Sequence, residues 1–351
     1  MQPILAVLAV GGLVHRAWSH KSLTPAGIFA AFLTAVAHTL HPSALPFALL
    51  AAFFIAGTKA TKVKHDIKAR LTLSSGGSGG GEGPRNHVQV VANSGVASVL
   101  SLLHVWKLWR NKRDFTCIEY GKSDDILLLG IIANYAAVAA DTLSSELGIL
   151  SQSQPRLITS FTLRKVPRGT NGGVTLAGVL AGSLGAFIIG AVTALLTRFC
   201  PGSFYSAGVD QSGLGQSWTL SGIFSNKVLP VLIITVWGTL GSLLDSILGG
   251  LLQASVVDKR SGKIVEGSGG RKVMLQPDTN NSNSPTSFSR GPTVKISQVV
   301  PSEETESRSV AAGTDILDNN QVNFLMAALM SIGAMATASW MWQVPLKSIV
   351  V

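Results

Sequence analysis

The segment Tyr135 to Gly148, YAAVAADTLSSELG, carries an apolar run of small residues into Asp141 and, five positions on, Glu146. Thr142, Ser144 and Ser145 stand around the two carboxylates. Carboxylates among hydroxyls make a hard-oxygen surface suited to Mg²⁺ and the phosphates it bridges. Positions 141, 144, 145 and 148 share one helical face. Spacing alone leaves a second account open, in which these are the solvated residues of a helix end.

A phosphate also needs cations and backbone N–H groups. RKVPRGTNGGVTLAG, Arg164 to Gly178, offers both. Lys165 and Arg168 precede Gly169, Asn171, Gly172 and Gly173, and a helix is expected from about Val174. Helix N-termini favour anions, glycine lets a phosphate approach closely, and the cations add charge-assisted bonds. This coincidence favours an anion site over an ordinary basic loop with a glycine turn.

Two further stretches are GTKATKVKHDIKAR, Gly57 to Arg70, and RNHVQVVANSG, Arg85 to Gly95. Lys62, Lys68 and Arg85 could hold phosphate, while Gln89 and Asn93 lie one turn apart on an apolar helix. Taken alone, snorkelling cations and interhelical hydrogen bonds are the simpler account. Asp245, in GSLLDSILGGLLQ, falls inside an apolar segment and requires a partner or a water-filled cavity. Asn323 lies in LDNNQVNFL. Asp245-Ser246 echoes Asp141-Thr142, and Gln321-Val322-Asn323 echoes Gln89-Val90 and Asn93, which hints at an internal duplication.

The elements that must position these residues are membrane spans. Of the 351 residues, 46% are hydrophobic and only 13% charged, against roughly 25% in a soluble domain. A span needs about 20 mostly apolar residues. The pattern predicts an all-α bundle of about eight spans: Pro3–Ala17, Ala26–Leu40, Ala44–Gly57, His87–Trp106, Ile126–Ala140, Gly173–Thr197, Val228–Leu252 and Val322–Trp342. The second, third and fifth read as short. Lys and Arg gather in the connections after the first, third, fifth and seventh, which makes those cytosolic and both termini lumenal. The net charge of +10 is thereby read as an inside-facing basic surface and not as nucleic-acid binding. The expected setting is a multi-pass protein of the endoplasmic reticulum or another endomembrane.

Other features set limits. Residues 72–84 read as a Gly/Ser-rich flexible linker, and they lack the GxxxxGK[ST] pattern of a P-loop. Residues 267–314, rich in Ser, Asn, Pro and Thr, read as a disordered cytoplasmic insertion. The two cysteines, Cys117 and Cys200, form no CxxC or Cys/His cluster, so a structural zinc site is disfavoured. Both fall on the lumenal side, where two free thiols are the expected state. No HExxH or GxSxG pattern is present, which disfavours a hydrolase.

Six motifs in order, FFIAGTKATKVKHDIKAR, RNHVQVVANSG, ADTLSSELG, VPRGTNGGVTLAG, GSLLDSILGGLLQ and LDNNQVNFL, resemble the transmembrane protein 19 family. The resemblance covers nearly the whole chain apart from the linker and the insertion. That family includes the plant chloroplast phytyl-phosphate kinase. The resemblance therefore implies a lipid kinase that converts an isoprenoid monophosphate to its diphosphate with a nucleoside triphosphate, CTP or ATP, and Mg²⁺. On that reading Asp141 and Glu146 hold the metal and do the catalytic work. Lys165, Arg168, Gly169 and the Asn171–Gly173 amides hold nucleotide phosphates. Lys62, Lys68 and Arg85 receive the lipid phosphate, and Asn93, Asp245 and Asn323 line the cleft. The competing expectations are a non-enzymatic transporter or lipid-handling protein, and a structural scaffold.

Overall fold

A computed structural model describes residues 3–75, 79–80, 83–119, 121–197, 200, 227–273, 308–345 and 347. The helices are α1 (Pro3–Ser19), α2 (Pro25–Thr39), α3 (Leu45–Lys62), the short α4 (His65–Lys68), α5 (His87–Arg110), α6 (Ser123–Gly148), α7 (Leu176–Leu196), α8 (Leu229–Leu252) and α9 (Asn319–Met341). Six of them, α3 and α5 to α9, are long and apolar enough to cross a membrane. The first two are shorter, at 17 and 15 residues. The fold is thus a polytopic helical bundle. The fifth expected span is not short: α6 has 26 residues. Its ends carry carboxylates that are taken up by the protein, so charge hid its length.

At its centre is α6, 89% buried across its most apolar window. A helix apolar all round belongs inside a bundle. Its alanines let neighbouring backbones come close, as small residues do between membrane helices. A methyl group on Gly185 of α7 would lie 2.4 Å from the Ala139 carbonyl oxygen. One on Gly238 of α8 would lie 2.6 Å from that of Ala136, and one on Gly241 would lie 2.6 Å from the Ala137 Cβ. The contacts advance together, so α6 and α8 run parallel. One turn beyond the Ala137–Gly241 contact stand Asp141 and Asp245. The run of small residues ahead of Asp141 therefore sets the register in which the two aspartates face one another.

The four basic connections gather at one end of the bundle, the cytosolic end by the positive-inside rule. Thr24 N–H donates to the Arg85 carbonyl, and the Arg164 guanidinium donates to the Ala311 carbonyl. Short strands complete this end. A four-stranded sheet has the order β1 (Leu73–Ser74), β5 (Ile264–Glu266), β4 (Ser255–Asp258), β6 (Arg308–Ala312). β1 pairs with β5 in parallel, and the other pairs are antiparallel. β2 (Arg156–Leu157) pairs with β3 (Gly173–Val174). These strands qualify the all-α expectation outside the membrane. Each is 2–5 residues long and drawn from loops far apart in sequence, below the length at which alternation is legible.

The strands also trim two expected segments. Leu73, Ser74 and Gly79 of the linker are paired, as are residues 308–312 of the insertion. The expectation of disorder then falls on residues 274–307, which lie outside the described residues.

The opposite end is held by a polar network. Arg113 grips Asp125 through two bonds of 2.9 and 3.0 Å, and the Glu119 N–H donates to the same carboxylate. His104 Nε2 lies 3.7 Å from Asp125, and its Nδ1 lies 3.0 Å from His41 Nε2. Asp124 accepts from Asn111 and pairs with Lys107. Beside this network Cys117 and Cys200 form a disulfide with a Cα–Cα distance of 5.2 Å, which corrects the expectation of free thiols. The sulfurs meet because α6 and α7 form an antiparallel pair: Cys117 precedes the start of one and Cys200 follows the end of the other.

Candidate active site

A cavity of about 840 Å³ opens among the helix ends that carry the basic connections, beneath the sheet. Asp141 and Asp245 stand on its floor, each seven residues from the end of its helix. At 1.5 Å per residue that is a depth of about 10 Å. The side chains of Asp245 and Asp141 are in hydrogen-bonding contact. Asp245 Oδ1 is buried and has no hydrogen-bond partner among the described residues. Two carboxylates so close repel one another unless a proton or a cation sits between them.

Glu146 occupies a different wall. Five helical positions turn it away from Asp141. Its carboxylate is ion-paired to Lys68 Nζ and accepts from Thr61 Oγ1 at 2.6 Å. Lys68 also donates to the Ala60 carbonyl at 3.0 Å. Arg85 Nη2 donates to Thr61 Oγ1 at 3.3 Å, and its guanidinium, like the Thr142 methyl, lies beside Gly57. Lys68, Thr61, Glu146 and Arg85 therefore form one basic-acidic cluster drawn from α3 to α6. The expected partnership of Asp141 with Glu146 becomes a partnership of Asp141 with Asp245.

Asn93 and Asn323 line the same cavity from α5 and α9. Asn93 donates to the Gln89 carbonyl at 2.9 Å, and its own carbonyl accepts from Asn134. Gly169, Asn171, Gly172 and Gly173 also reach the wall, but two of these four amides are committed. Asn171 N–H donates to Ser255 Oγ at 2.9 Å and Gly173 N–H to the Thr170 carbonyl at 2.9 Å. Gly172, at φ +77°, is packed so closely that a methyl group would lie 2.8 Å from Gly250 Cα. Gly172 thereby seats the loop on α8.

Three expected ligands lie outside the cavity lining. Lys62 is exposed, with Nζ 3.2 Å from His20 Nδ1. Lys165 is exposed in the hairpin bridged to Arg156. Arg168 donates to the Gln152 carbonyl at 3.3 Å. Basic residues in loops are interchangeable in composition, and only the fold decides which face inward.

The cavity also includes residues that the motif reading passed over: Thr61, Asn86 and the turn Gly267–Lys272. A signal for Asn86 was present. Asn86 and Gln89 form a capping box on α5, and Asp318 and Gln321 form another on α9. The echo between these two stretches is thus a shared helix start. Asp141 and Asp245 likewise lie on parallel helices, so the repeated elements are not inverted with respect to the membrane.

Fold and cavity together define a multi-pass helical membrane protein with a polar, carboxylate-floored site at one membrane edge. The chain belongs to the integral membrane protein DUF92 family, whose model matches residues 8–331, in agreement with the resemblance carried by the six motifs. It is 35% identical over 331 residues to "Protein PGR" of Arabidopsis thaliana, covering 93% of each chain. It is 31% identical over 179 residues to "Protein VTE6, chloroplastic" of the same plant, covering 51% of this chain and 49% of that one. An uncharacterized membrane protein of Methanocaldococcus jannaschii, MJ0933, is 41% identical over 123 residues, 33% of this chain and 51% of its own. No solved structure matches.

Proposed function

We propose that the chain is a lipid-phosphate kinase, transferring the terminal phosphoryl group of a nucleoside triphosphate, CTP or ATP, to an isoprenoid monophosphate. The observation that carries this reading is the convergence of Asp141 and Asp245 with the half-buried Arg85 and the buried Lys68 around one polar cavity at the membrane edge. The acid pair fits Mg²⁺, which commonly takes one or two carboxylates and completes its shell with waters and phosphate oxygens. When bound, the metal would neutralise charge on the transferring phosphoryl group.

The residues supply alignment, which is most of what phosphoryl transfer requires. Arg85 and Lys68 orient the lipid phosphate, and Glu146 fixes Lys68. Asn93 and Asn323 offer amide groups at the same level. An oxygen of the lipid phosphate attacks the terminal phosphorus, the bond to the bridging oxygen breaks, and the nucleoside diphosphate leaves with that electron pair. The charge of the monophosphate and triphosphate equals that of the two diphosphate products, so no proton need move. The prenyl tail stays in the bilayer.

The residues lining the cavity lie at one end of the bundle, and this supports a headgroup site over a conduit. The compartment is a membrane whose far side is oxidising, given the Cys117–Cys200 disulfide. The endoplasmic reticulum has no support from the relatives, one of which is chloroplastic.

Purified protein with Mg²⁺, γ-labelled nucleotide and phytyl or geranylgeranyl monophosphate is expected to yield labelled diphosphate. Asp141→Asn is expected to lower the rate by at least about 10³-fold while keeping the thermal midpoint. Absence of product across nucleotides and chain lengths would overturn the proposal.

A further inference from the structure

The geometry points to a second anion subsite in the same cavity: we infer that the turn Gly267–Lys272 receives the polyphosphate of the donor nucleotide. This rests on the kinase reading and adds where the donor binds.

The turn follows β5 and lines the cavity wall. Gly269 and Gly270 have φ of +65° and +78°, a region that glycine enters without strain. A methyl group on Gly269 would lie 2.4 Å from Asn86 Nδ2, and one on Gly270 2.9 Å from Asn320 Oδ1. Both side-chain amides donate to the Gly269 carbonyl, Asn320 at 3.0 Å and Asn86 at 3.4 Å. Asn86 is the N-cap of α5 and Asn320 lies in the first turn of α9. The turn is thus fastened across the N-terminal ends of two helices, where partial positive charge gathers.

Two independent observations point to a ligand. Asn320 is 4% exposed, yet its Oδ1, facing Gly270, has no hydrogen-bond partner among the described residues. A buried acceptor left open wants a donor, and a ribose hydroxyl or a base amine supplies one. Arg271 is exposed, lines the cavity and makes no hydrogen bond or ion pair with a described residue. Its neighbour Lys272 is spent on structure: Nζ donates to the Asp315 and Ile316 carbonyls and pairs with the Asp315 carboxylate at 3.2 Å. Lys272 straps the turn to the chain leading into α9, and Arg271 is left to meet an anion. The acid pair that fits the cation belongs to the same cavity, and in the loop around Asn171 the amides of Thr170, Asn171 and Gly173 are spent elsewhere.

The test is equilibrium binding of ATP, CTP and inorganic triphosphate, each with Mg²⁺, to the full chain in lipid nanodiscs. Arg271→Gln is expected to raise Kd for all three about tenfold or more, the scale of a lost bond to a charged group. Lys165→Gln, outside the cavity, is expected to leave Kd unchanged. Gly270→Ala, checked for an unchanged thermal midpoint, is expected to weaken binding as Arg271→Gln does. Wild-type binding that survives Arg271→Gln, or that weakens on Lys165→Gln instead, overturns the subsite and leaves the kinase reading standing. Failure of the wild type to bind any of the three overturns both.

Discussion

At the scale of single residues, the site divides its carboxylates between two tasks. Asp141 and Asp245 share one place, and Glu146 neutralises a buried lysine. The Lys68–Glu146 pair is nearly closed to solvent, at 7% and 11% side-chain exposure. Removing one partner of such a pair leaves an uncompensated charge, at about 3–5 kcal/mol. Glu146→Gln is therefore expected to lower stability by about 3 kcal/mol, read as a depressed thermal midpoint. Asp141→Asn relieves a crowded pair and is expected to leave the midpoint near wild type. Equal midpoints for both variants would contradict this division. The residue types at the site were legible in the sequence, because charge inside an apolar segment is conspicuous. Which carboxylate faces which was not. Asp141 and Glu146 are close in sequence and diverge on the helix, while Asp245 is remote and converges through helix packing.

At the scale of elements, the glycine and alanine faces of α6, α7 and α8 determine how near the aspartates come. Gly238→Leu would drive a side chain into the Ala136 carbonyl. It is expected to separate α8 from α6 and lower both stability and any activity, by about 1–3 kcal/mol in stability. An unchanged midpoint would deny that seam its role. The existence and order of the helices were readable from hydropathy. Their termini were not, where buried ion pairs such as Asp125 with Arg113 extend α6 past its apolar run. The disulfide was also missed, although its signal was available. Consecutive antiparallel helices bring the residue before the first and the residue after the second to one end. Breaking it with Cys117→Ser and Cys200→Ser is expected to lose about 3 kcal/mol, seen as a lower midpoint that reductant does not move further.

At the scale of the whole molecule, the two ends of the bundle do different work. One end holds the polar cavity. The other is locked by the disulfide and by buried histidines outside it. Burial, and then the neighbouring His104, pushes His41, between α2 and α3, down to about 3. Its unfolded value is near 6.5. Between those values the unfolded chain binds the extra proton, so stability rises with pH and falls on acidification below about 6.5. Moving from pH 7 to pH 5 is expected to remove about 2 kcal/mol through this one group, and His41→Gln should reduce the dependence by that share. That the basic loops share one end of the bundle was readable from their charge, because charge bias survives any detail of packing. The cavity was not, because its walls come from every cytosolic connection and from strands too short to announce themselves. The measurement that bears most directly on the whole account is transfer of γ-labelled phosphate to an isoprenoid monophosphate by wild type, Asp141→Asn and Asp245→Asn side by side. Labelled diphosphate from wild type alone, with all three proteins folded, is the expected result. Undiminished transfer by Asp245→Asn, or none by wild type, would contradict it.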